Sequence, residues 1–475
     1  MTNPLFTHQA LMAKFIIDKG GSGALFADPG TGKTRTAIEI FTQLRQKVPN
    51  LKMIVVSPLS ILDAAWGVDI KKFSHFTYQN LHDDGVPDAF LTDIWLINYE
   101  SLILERKFKK LHSILYKYPV FLVCDESSRM KNHNAKTTKC LITLRDHAKY
   151  RVIMSGTPAP NSPLEYWGQM TFVNKAIFHP SFFAFRNTYF HLARGNQKFE
   201  GQGKVISRET MREMLRTGWK YEITDYNRIK LMNCIKPYAY WIKKEDCLDL
   251  PDTLNEIRNV ELGPIQRKAY NEMKRHLITE IKGADIVAQV ALTKLMKLRE
   301  ITSGFAFDSL GAAHSIGESP KLQEVENLAE EFGKRPVIFW AQFRWEIQQL
   351  VELLGHYGSV VTLYSDTKDR NNSIVRFQDG SAQYLVAHPR SAAHGLTFVN
   401  CSYETFFSLD YSYEAYEQAR ARIHRAGQTN KCTYLHLLAK DTIDEDIMKI
   451  LERKETADEL VYKMIGKKEE ILCQK

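Results

Sequence analysis

The sequence predicts an α/β protein whose chain forms two lobes, each with a parallel sheet covered by helices. Two observations support this fold class. Apolar runs typical of buried strands alternate with helical patterns in residues 1–175, and the same alternation returns from residue 321. The length of 475 residues also exceeds that of one ordinary domain.

Ten apolar runs are predicted as strands. They are residues 23–26, 52–57, 93–98, 119–124 and 150–155, then 336–340, 359–363, 383–387, 403–408 and 431–437. Between the two groups, an aromatic and then glycine-rich stretch predicts a helical insertion, residues 264–300 have apolar positions at helical spacing, and 303–319 resemble an exposed loop. The predicted segments are lobe one at 1–175, its helical insertion at 176–250, a linker and helical protrusion at 251–320, and lobe two with a C-terminal helix at 321–475.

Composition limits the class of protein. Apolar residues make up 44% of the chain, no run is long enough to span a bilayer, and no signal pattern appears. The seven scattered cysteines form no C-x-x-C pair, which is typical of reduced thiols in a cytoplasmic protein. We therefore expect no membrane partner, while the net charge of +9 permits a polyanion.

The first candidate site is the run Ala-Asp-Pro-Gly-Thr-Gly-Lys-Thr at 27–34, between a strand signal and a helical pattern. Gly30 and Gly32 would let backbone N–H groups converge at the positive end of the helix. Lys33 would reach the β- and γ-phosphates of ATP, and the Thr34 hydroxyl would hold Mg²⁺. The alternative is a glycine-rich turn that merely caps the helix, but Lys-Thr is an unusual cap.

Two carboxylates, Asp125 and Glu126, follow the apolar run 120–124. At the carboxyl end of a buried parallel strand, Asp125 would bind Mg²⁺ through water, and Glu126 would deprotonate the attacking water. Alone, such a pair is usually a solvated turn. Near a P-loop on a parallel strand, it predicts the second half of an ATPase site.

Residues 418–428 predict a contribution from lobe two. Gln418, Arg422 and Arg425 would share one face if the segment were helical, and guanidinium groups suit a γ-phosphate. The alternative is a solvated basic helix.

Taken in order, the motifs resemble those of Swi/Snf-type superfamily-two helicase-like ATPases, of the compact bacterial or phage kind. The resemblance rests on Phe6–Gln9, 27–34, Ser57–Ser60, Asn98–Glu100, Asp125–Asn132, Ser155–Asn161, Val337–Phe343, His388–Phe398 and 418–428. Ser127-Ser128 replace the family's Ala-His, which leaves the coupling of the ATP site to the other lobe open.

The resemblance implies two RecA-like lobes and assigns roles to residues. Those expected at ATP are His8, Gln9, Asp28, Gly30, Thr31, Gly32, Lys33, Thr34 and Gly395. Those expected to face DNA are Ser60, Asn98, Lys131, Asn161, Phe343 and Arg390. Most of them are polar donors suited to phosphate, although Ser60 and Asn98 could instead be helix caps.

The implied activity is DNA-dependent ATP hydrolysis with Mg²⁺, used to translocate on double-stranded or branched DNA with little sequence preference. Fork regression, branch migration and annealing are the expected outcomes. Two alternatives stay open: a motor that clears proteins such as RNA polymerase from DNA, and an ATP-gated DNA clamp without turnover. The expected location is a bacterial cytoplasm, or that of the host for a phage-encoded protein.

Overall fold

A computed structural model describes residues 4–82, 91–160, 162–194, 197–198, 214, 220–283, 288–308, 310–392 and 396–452. It contains two parallel sheets flanked by helices, which confirms the predicted fold class. The segment boundaries stay a prediction. Asn161 and Gly395, two expected site residues, lie outside the described residues.

The strands of lobe one form a seven-stranded sheet in which every neighbouring pair is parallel. They are β1 (Ser22–Ala27), β2 (Lys52–Ser57), β3 (Tyr78–Asn80), β4 (Ile94–Asn98), β5 (Val120–Cys124), β6 (Tyr150–Ser155) and β10 (Ala239–Ile242). Their order is β10-β1-β6-β5-β2-β4-β3. Strands β2 and β5 are buried throughout because core clusters cover both faces of the sheet.

The strands of lobe two form a six-stranded parallel sheet. They are β11 (Thr253–Val260), β14 (Val337–Trp340), β15 (Val360–Leu363), β16 (Tyr384–Ala387), β17 (Tyr403–Phe406) and β18 (Cys432–Ala439). Their order is β11-β18-β17-β14-β16-β15, again with a core cluster on each face.

Helices connect the strands and cover the sheets. They span Thr7–Asp18, Lys33–Lys47, Val68–Phe73, Glu105–Lys117, Lys136–Leu144, Tyr166–Val173, Phe182–Tyr189, Asp225–Ile235, Pro264–Gly283, Ala288–Ser303, Pro320–Phe332, Arg344–Leu354, Arg370–Gln378, Pro389–Ala392 and Tyr413–Arg420. The predicted C-terminal helix is present over 443–452, the part of it that is described. No described helix is both long and apolar enough to cross a bilayer.

All ten predicted strands are present, but sequence analysis missed others. Strand β10 lies in the range predicted as a helical insertion and pairs with β1, and β11 lies in the predicted linker and pairs with β18. The insertion also contains a small antiparallel sheet of β7 (Phe190–Arg194), β8 (Gln197–Lys198) and β9 (Lys220–Ile223). The predicted loop at 303–319 contains the hairpin of β12 (Phe305–Phe307) and β13 (Ala313–Ser315). The six described cysteines are free thiols.

Candidate active site

The P-loop joins β1 to the helix Lys33–Lys47. Gly30 and Gly32 have φ angles of 92° and 82°, in the left-handed region where a side chain is strained. A Cβ on Gly32 would also collide with the amide of Gln9. The Nζ of Lys33 donates to the carbonyls of Ala27 (2.6 Å) and Asp28 (3.2 Å), so the ammonium lies inside the curl of the loop.

His8 and Gln9 connect the first helix to the P-loop. The Nε2 of His8 lies 2.8 Å from the carbonyl oxygen of Thr31, and the Gln9 amide donates to the same oxygen at 3.3 Å. Both side chains are buried, and burial lowers the pKa of His8. In this arrangement the two side chains hold the backbone of the P-loop in place at Thr31. Their expected contact with adenine stays a prediction.

Asp28 and Thr34 complete the loop. The Asp28 carboxylate accepts a hydrogen bond from the backbone N–H of Lys244 at 3.0 Å, just after β10. Burial raises the pKa of Asp28, while the neighbouring Lys244 and Lys33 oppose the rise. Asp28 therefore links the P-loop to the end of an edge strand that sequence analysis missed. Thr34 is half-buried in the first turn of the helix.

Asp125 lies at the carboxyl end of β5, fully inside lobe one. One carboxylate oxygen accepts the indole N–H of Trp66 at 2.9 Å and lies 3.5 Å from the hydroxyl of Ser57, and the other accepts the backbone N–H of Glu126 at 3.0 Å. The hydroxyl of Tyr99 donates to the Asp125 carbonyl at 2.7 Å. Burial raises the pKa of Asp125, and the Trp66 bond and the charge of Lys33 oppose it. Trp66 and Tyr99 thus hold this carboxylate in place.

Glu126 has an unusual backbone and environment. Its φ of 49° is positive, which among the described non-glycine residues is shared only by Asp441. Its Oε2 is buried with no hydrogen-bond partner among the described residues. Burial raises its pKa to about 7, helped by the charges of Asp125 and Glu414 and opposed by Lys33. A carboxylate in this state is suited to accept a proton near neutral pH.

The helical arrangement predicted for residues 418–425 is wrong. The helix ends at Arg420, and Arg422 and Arg425 lie in the turns that follow. The chain leaves the helix because the carbonyl of Arg422 accepts the N–H of Phe398 at 2.9 Å, which draws the backbone towards another loop. Arg422 and Arg425 nevertheless converge, since both guanidinium groups donate to the carbonyl of Leu396 at 2.9 Å.

Both arginines face lobe one. A Cβ on Gly30 would lie 3.0 Å from the Cβ of Arg425, so the arginine contacts the P-loop directly. Burial lowers the pKa of Arg422 to about 9, and the nearby charge of Arg425 adds to this while Glu126 opposes it. Arg425 also faces Asp69 of lobe one, whose pKa burial raises to about 6. The arginines therefore remain charged at neutral pH beside the P-loop and Glu126.

The expected DNA contacts fall into two groups. Lys131 and Arg390 line one cavity of about 290 Å³ between the lobes, together with Ser128, Arg129, Ser412, Glu414, Ala415 and Gln418. Ser60 is exposed in a short 3-10 turn. Neither Ser60 nor Asn98 makes a side-chain cap.

Asn98 and Phe343 are less accessible. Asn98 is 3% exposed, and its amide donates to Glu100 at 2.9 Å and lies 3.2 Å from His82. Phe343 packs edge-on against Phe305, with ring centroids 5.4 Å apart. As contacts to DNA, both stay predictions.

Sequence analysis did not assign a role to several residues that shape the site. These are Ser57, Trp66, Asp69, Tyr99, Lys244 and Glu414. Ser57 and Tyr99 do lie within motifs that carried the resemblance, whereas Lys244 and Glu414 follow no motif pattern that would single them out.

A nucleotide-type loop and an acidic pair in one parallel-sheet lobe, with arginines from a second lobe, define an ATP-hydrolysing enzyme of superfamily two. Comparison with known families agrees. The SNF2-related domain matches residues 8–304, and the helicase conserved C-terminal domain matches residues 320–427. The chain belongs to the SNF2-related family, which confirms the Swi/Snf-type resemblance.

Relatives of this chain are distant in sequence. A "Putative protein p41" of Acyrthosiphon pisum secondary endosymbiont phage 1 is 24% identical, over 97% of this chain and 98% of its own length. The chromatin structure-remodeling complex subunit snf21 of Schizosaccharomyces pombe is 25% identical over 90% of this chain, which spans only 36% of it. The RAD54-like DNA repair and recombination protein of Drosophila pseudoobscura pseudoobscura is 25% identical over 96% of this chain and 62% of its length. Among solved structures, the Sulfolobus solfataricus SWI2/SNF2 ATPase core in complex with dsDNA is 22% identical, covers 98% of this chain and 95% of its own, and has a TM-score of 0.45.

Proposed function

We propose that this chain is a DNA-dependent ATPase that translocates along duplex DNA and remodels branched DNA by fork regression, branch migration or annealing. The observation that carries the ATPase part is the convergence of the P-loop, Glu126 and two arginines of the other lobe at one place. Each lobe supplies groups that the other lacks, so hydrolysis depends on the lobes being together.

On lobe one, Lys33 and Glu126 take the central roles. The Lys33 ammonium would exchange its bonds to loop carbonyls for bonds to the β- and γ-phosphates. Glu126 would orient a water and accept its proton, for which its buried, unpartnered oxygen and its pKa of about 7 are suited. The remaining loop residues hold the backbone open for phosphate.

The residues present fit Mg²⁺, with Thr34 and Asp125 as its protein partners. The described residues contain no group of three or more possible His, Cys, Asp or Glu ligands. Mg²⁺ does not need such a group, because it keeps several waters and binds through one or two protein groups plus phosphate. When bound, Mg²⁺ would neutralise phosphate charge, while Trp66 keeps the Asp125 carboxylate correctly oriented.

On lobe two, Arg422 and Arg425 would stabilise the charge that develops on the γ-phosphate. Their guanidinium groups share the Leu396 carbonyl, which holds them side by side without cancelling their charge. Gln418 lies one turn before Arg422, whose Nε donates to the Gln418 carbonyl at 2.7 Å. Opening of the lobes after hydrolysis would remove the arginines, and each cycle would move one lobe along the DNA.

DNA would lie across both lobes and contact Lys131 and Arg390, which come from different lobes and face one cavity. We expect these cations to contact phosphates, which carry no base identity, and therefore expect little sequence preference. The names of two relatives support DNA as the binding partner: a chromatin-remodelling subunit and a DNA repair and recombination protein. The phage relative supports action in a bacterial cytoplasm, the host's if phage-encoded.

The test is the rate of ATP hydrolysis with no DNA, single-stranded DNA, linear duplex and a four-way junction. Duplex should stimulate the rate, and the junction should stimulate it further. Lys33→Ala is the control, because it removes the ammonium that binds phosphate and should abolish hydrolysis on every DNA. Equal rates on junction and duplex would contradict branch remodelling and favour the alternative of a motor that clears proteins from DNA. ATP and DNA binding without hydrolysis would instead establish the clamp.

A further inference from the structure

A hydrogen bond joins the two lobes at Ser128, two residues after Glu126 in the chain. The hydroxyl of Ser128 donates to the Oε1 of Glu414 at 2.9 Å, although 286 positions separate them in the chain. Ser128 is 1% exposed and lies in the 3-10 turn that follows Glu126. Glu414 lies in the first turn of the helix Tyr413–Arg420, where a carboxylate is favoured by the helix dipole.

Glu414 also has a contact within its own helix. Its Oε1 also lies 3.5 Å from the amide of Gln418, one helical turn later. The N-terminus of the helix is capped by Ser412, whose hydroxyl accepts the N–H of Ala415 at 3.2 Å. The neighbouring Ser127 differs, because it donates to Gln169 at 2.7 Å and stays within lobe one.

The same carboxylate faces two sites. Glu414 lines the inter-lobe cavity with Lys131 and Arg390. Through its bond to Ser128 it also reaches the turn that follows Glu126. The Glu414 carboxylate therefore lies beside the cations that line the cavity and is bonded to a turn of lobe one.

We propose that Glu414 is a positioning residue whose bond to Ser128 holds the Glu126 turn and lobe two in the productive arrangement, and that this bond links occupation of the cavity to hydrolysis. This rests on the proposed DNA-stimulated ATPase. In this proposal Ser128, which stands where the family has histidine, couples the ATP site to the other lobe through its bond to Glu414. Because the bond involves a charged acceptor, it is worth more than a bond between neutral groups.

The test is a double-mutant cycle on the full chain. Ser128→Ala and Glu414→Ala should each lower the kcat of DNA-stimulated hydrolysis by about tenfold or more, with the KM for ATP little changed. The double variant should be no slower than either single variant, because all three lack the same bond. Glu414→Gln should recover much of the rate, since its carbonyl can still accept from Ser128.

Ser127→Ala is the matched control. It removes a buried hydroxyl from the same turn, but its partner lies in lobe one, so its effect should add to that of Glu414→Ala. Additive effects of Ser128→Ala and Glu414→Ala would overturn the proposal. Variants that raise the KM for ATP and leave kcat unchanged would overturn it as well. Wild-type protein without DNA-stimulated turnover would count against the proposed function instead.

A second measurement does not need turnover. Hydrogen exchange of residues 413–420 reports on lobe two, far in sequence from the substitution in lobe one. Ser128→Ala should speed this exchange, because the helix loses its inter-lobe partner, and Ser127→Ala should not. Unchanged exchange in Ser128→Ala would overturn the proposal whatever the ATPase result.

Discussion

Arg425 of lobe two lies against Gly30 of the P-loop, so closely that a Cβ on Gly30 would come within 3.0 Å of the arginine's Cβ. The φ of 92° at Gly30 is a second reason for glycine at this position. Because the two residues belong to different lobes, this contact can form only when the cleft is closed.

Arg425→Ala should therefore lower kcat by about 10³-fold or more, the scale typical of arginine fingers, with ATP binding retained. Steady-state hydrolysis with saturating duplex measures this. Arg420→Ala is the matched control, since Arg420 lies five residues earlier and pairs with Glu417 at 2.9 Å. An Arg425 variant as active as the Arg420 variant would contradict the role proposed for Arg425.

Glu126→Gln should retain ATP binding and lose turnover, because an amide cannot accept the proton of water. The substitution keeps the size of the side chain and removes the buried charge, so the fold should not suffer. Calorimetric ATP binding and phosphate release measure the two properties separately. Wild-type hydrolysis by this variant would show that another group is the base.

Binding of duplex DNA should weaken steeply as the salt concentration rises, because each phosphate contact releases counterions. The logarithm of the binding constant should fall against the logarithm of the salt concentration with a slope of about −0.9 per contact. Lys131→Ala and Arg390→Ala should each reduce that slope and the DNA-stimulated rate, without affecting ATP binding in the absence of DNA. Lys109→Ala is the control, since Lys109 is exposed and pairs with Glu105 on a helix away from the cavity. A flat salt response, or strong dependence on one base sequence, would contradict tracking along phosphates.

A fragment of residues 1–250 should fold, whereas one of residues 1–236 should not, because only the first contains β10. Loss of β10 would expose the edge of β1, the strand that leads into the P-loop, and leave Asp28 without its partner at Lys244. Circular dichroism and thermal melting compare the two fragments. The longer fragment should still lack DNA-stimulated hydrolysis, since it has no arginines from lobe two.

Glu404→Gln should make stability less dependent on pH. Glu404 is fully buried on β17, and burial raises its pKa to about 8 from an ordinary 4.5, although Trp340 and Arg420 oppose this. The folded chain thus keeps a proton that the unfolded chain loses, so stability falls as pH rises from about 4.5 to about 8. Melting temperatures at pH 6 and pH 9 should differ more for wild type than for the variant. Equal differences would contradict the raised pKa.

The strands that the sequence predicted correctly are mostly central ones. Their side chains are buried on both faces, which requires the continuous apolar runs seen in β2 and β5. The missed strands of the two large sheets lie at the edges of those sheets. Strand β11 is exposed along most of its length, so its sequence is largely polar, and β10 has only four residues. Only pairing with β18 and β1 makes these segments strands.

The sequence by itself determined the P-loop, the acidic pair and the basic segment of lobe two, because phosphate chemistry demands particular residue types at short spacings. Only the tertiary structure decided how they meet. Arg422 and Arg425 converge through the carbonyl of Leu396 and not through a shared helical face. Likewise, Ser128 meets Glu414 only because folding brings distant segments together, and no local pattern encodes such a contact.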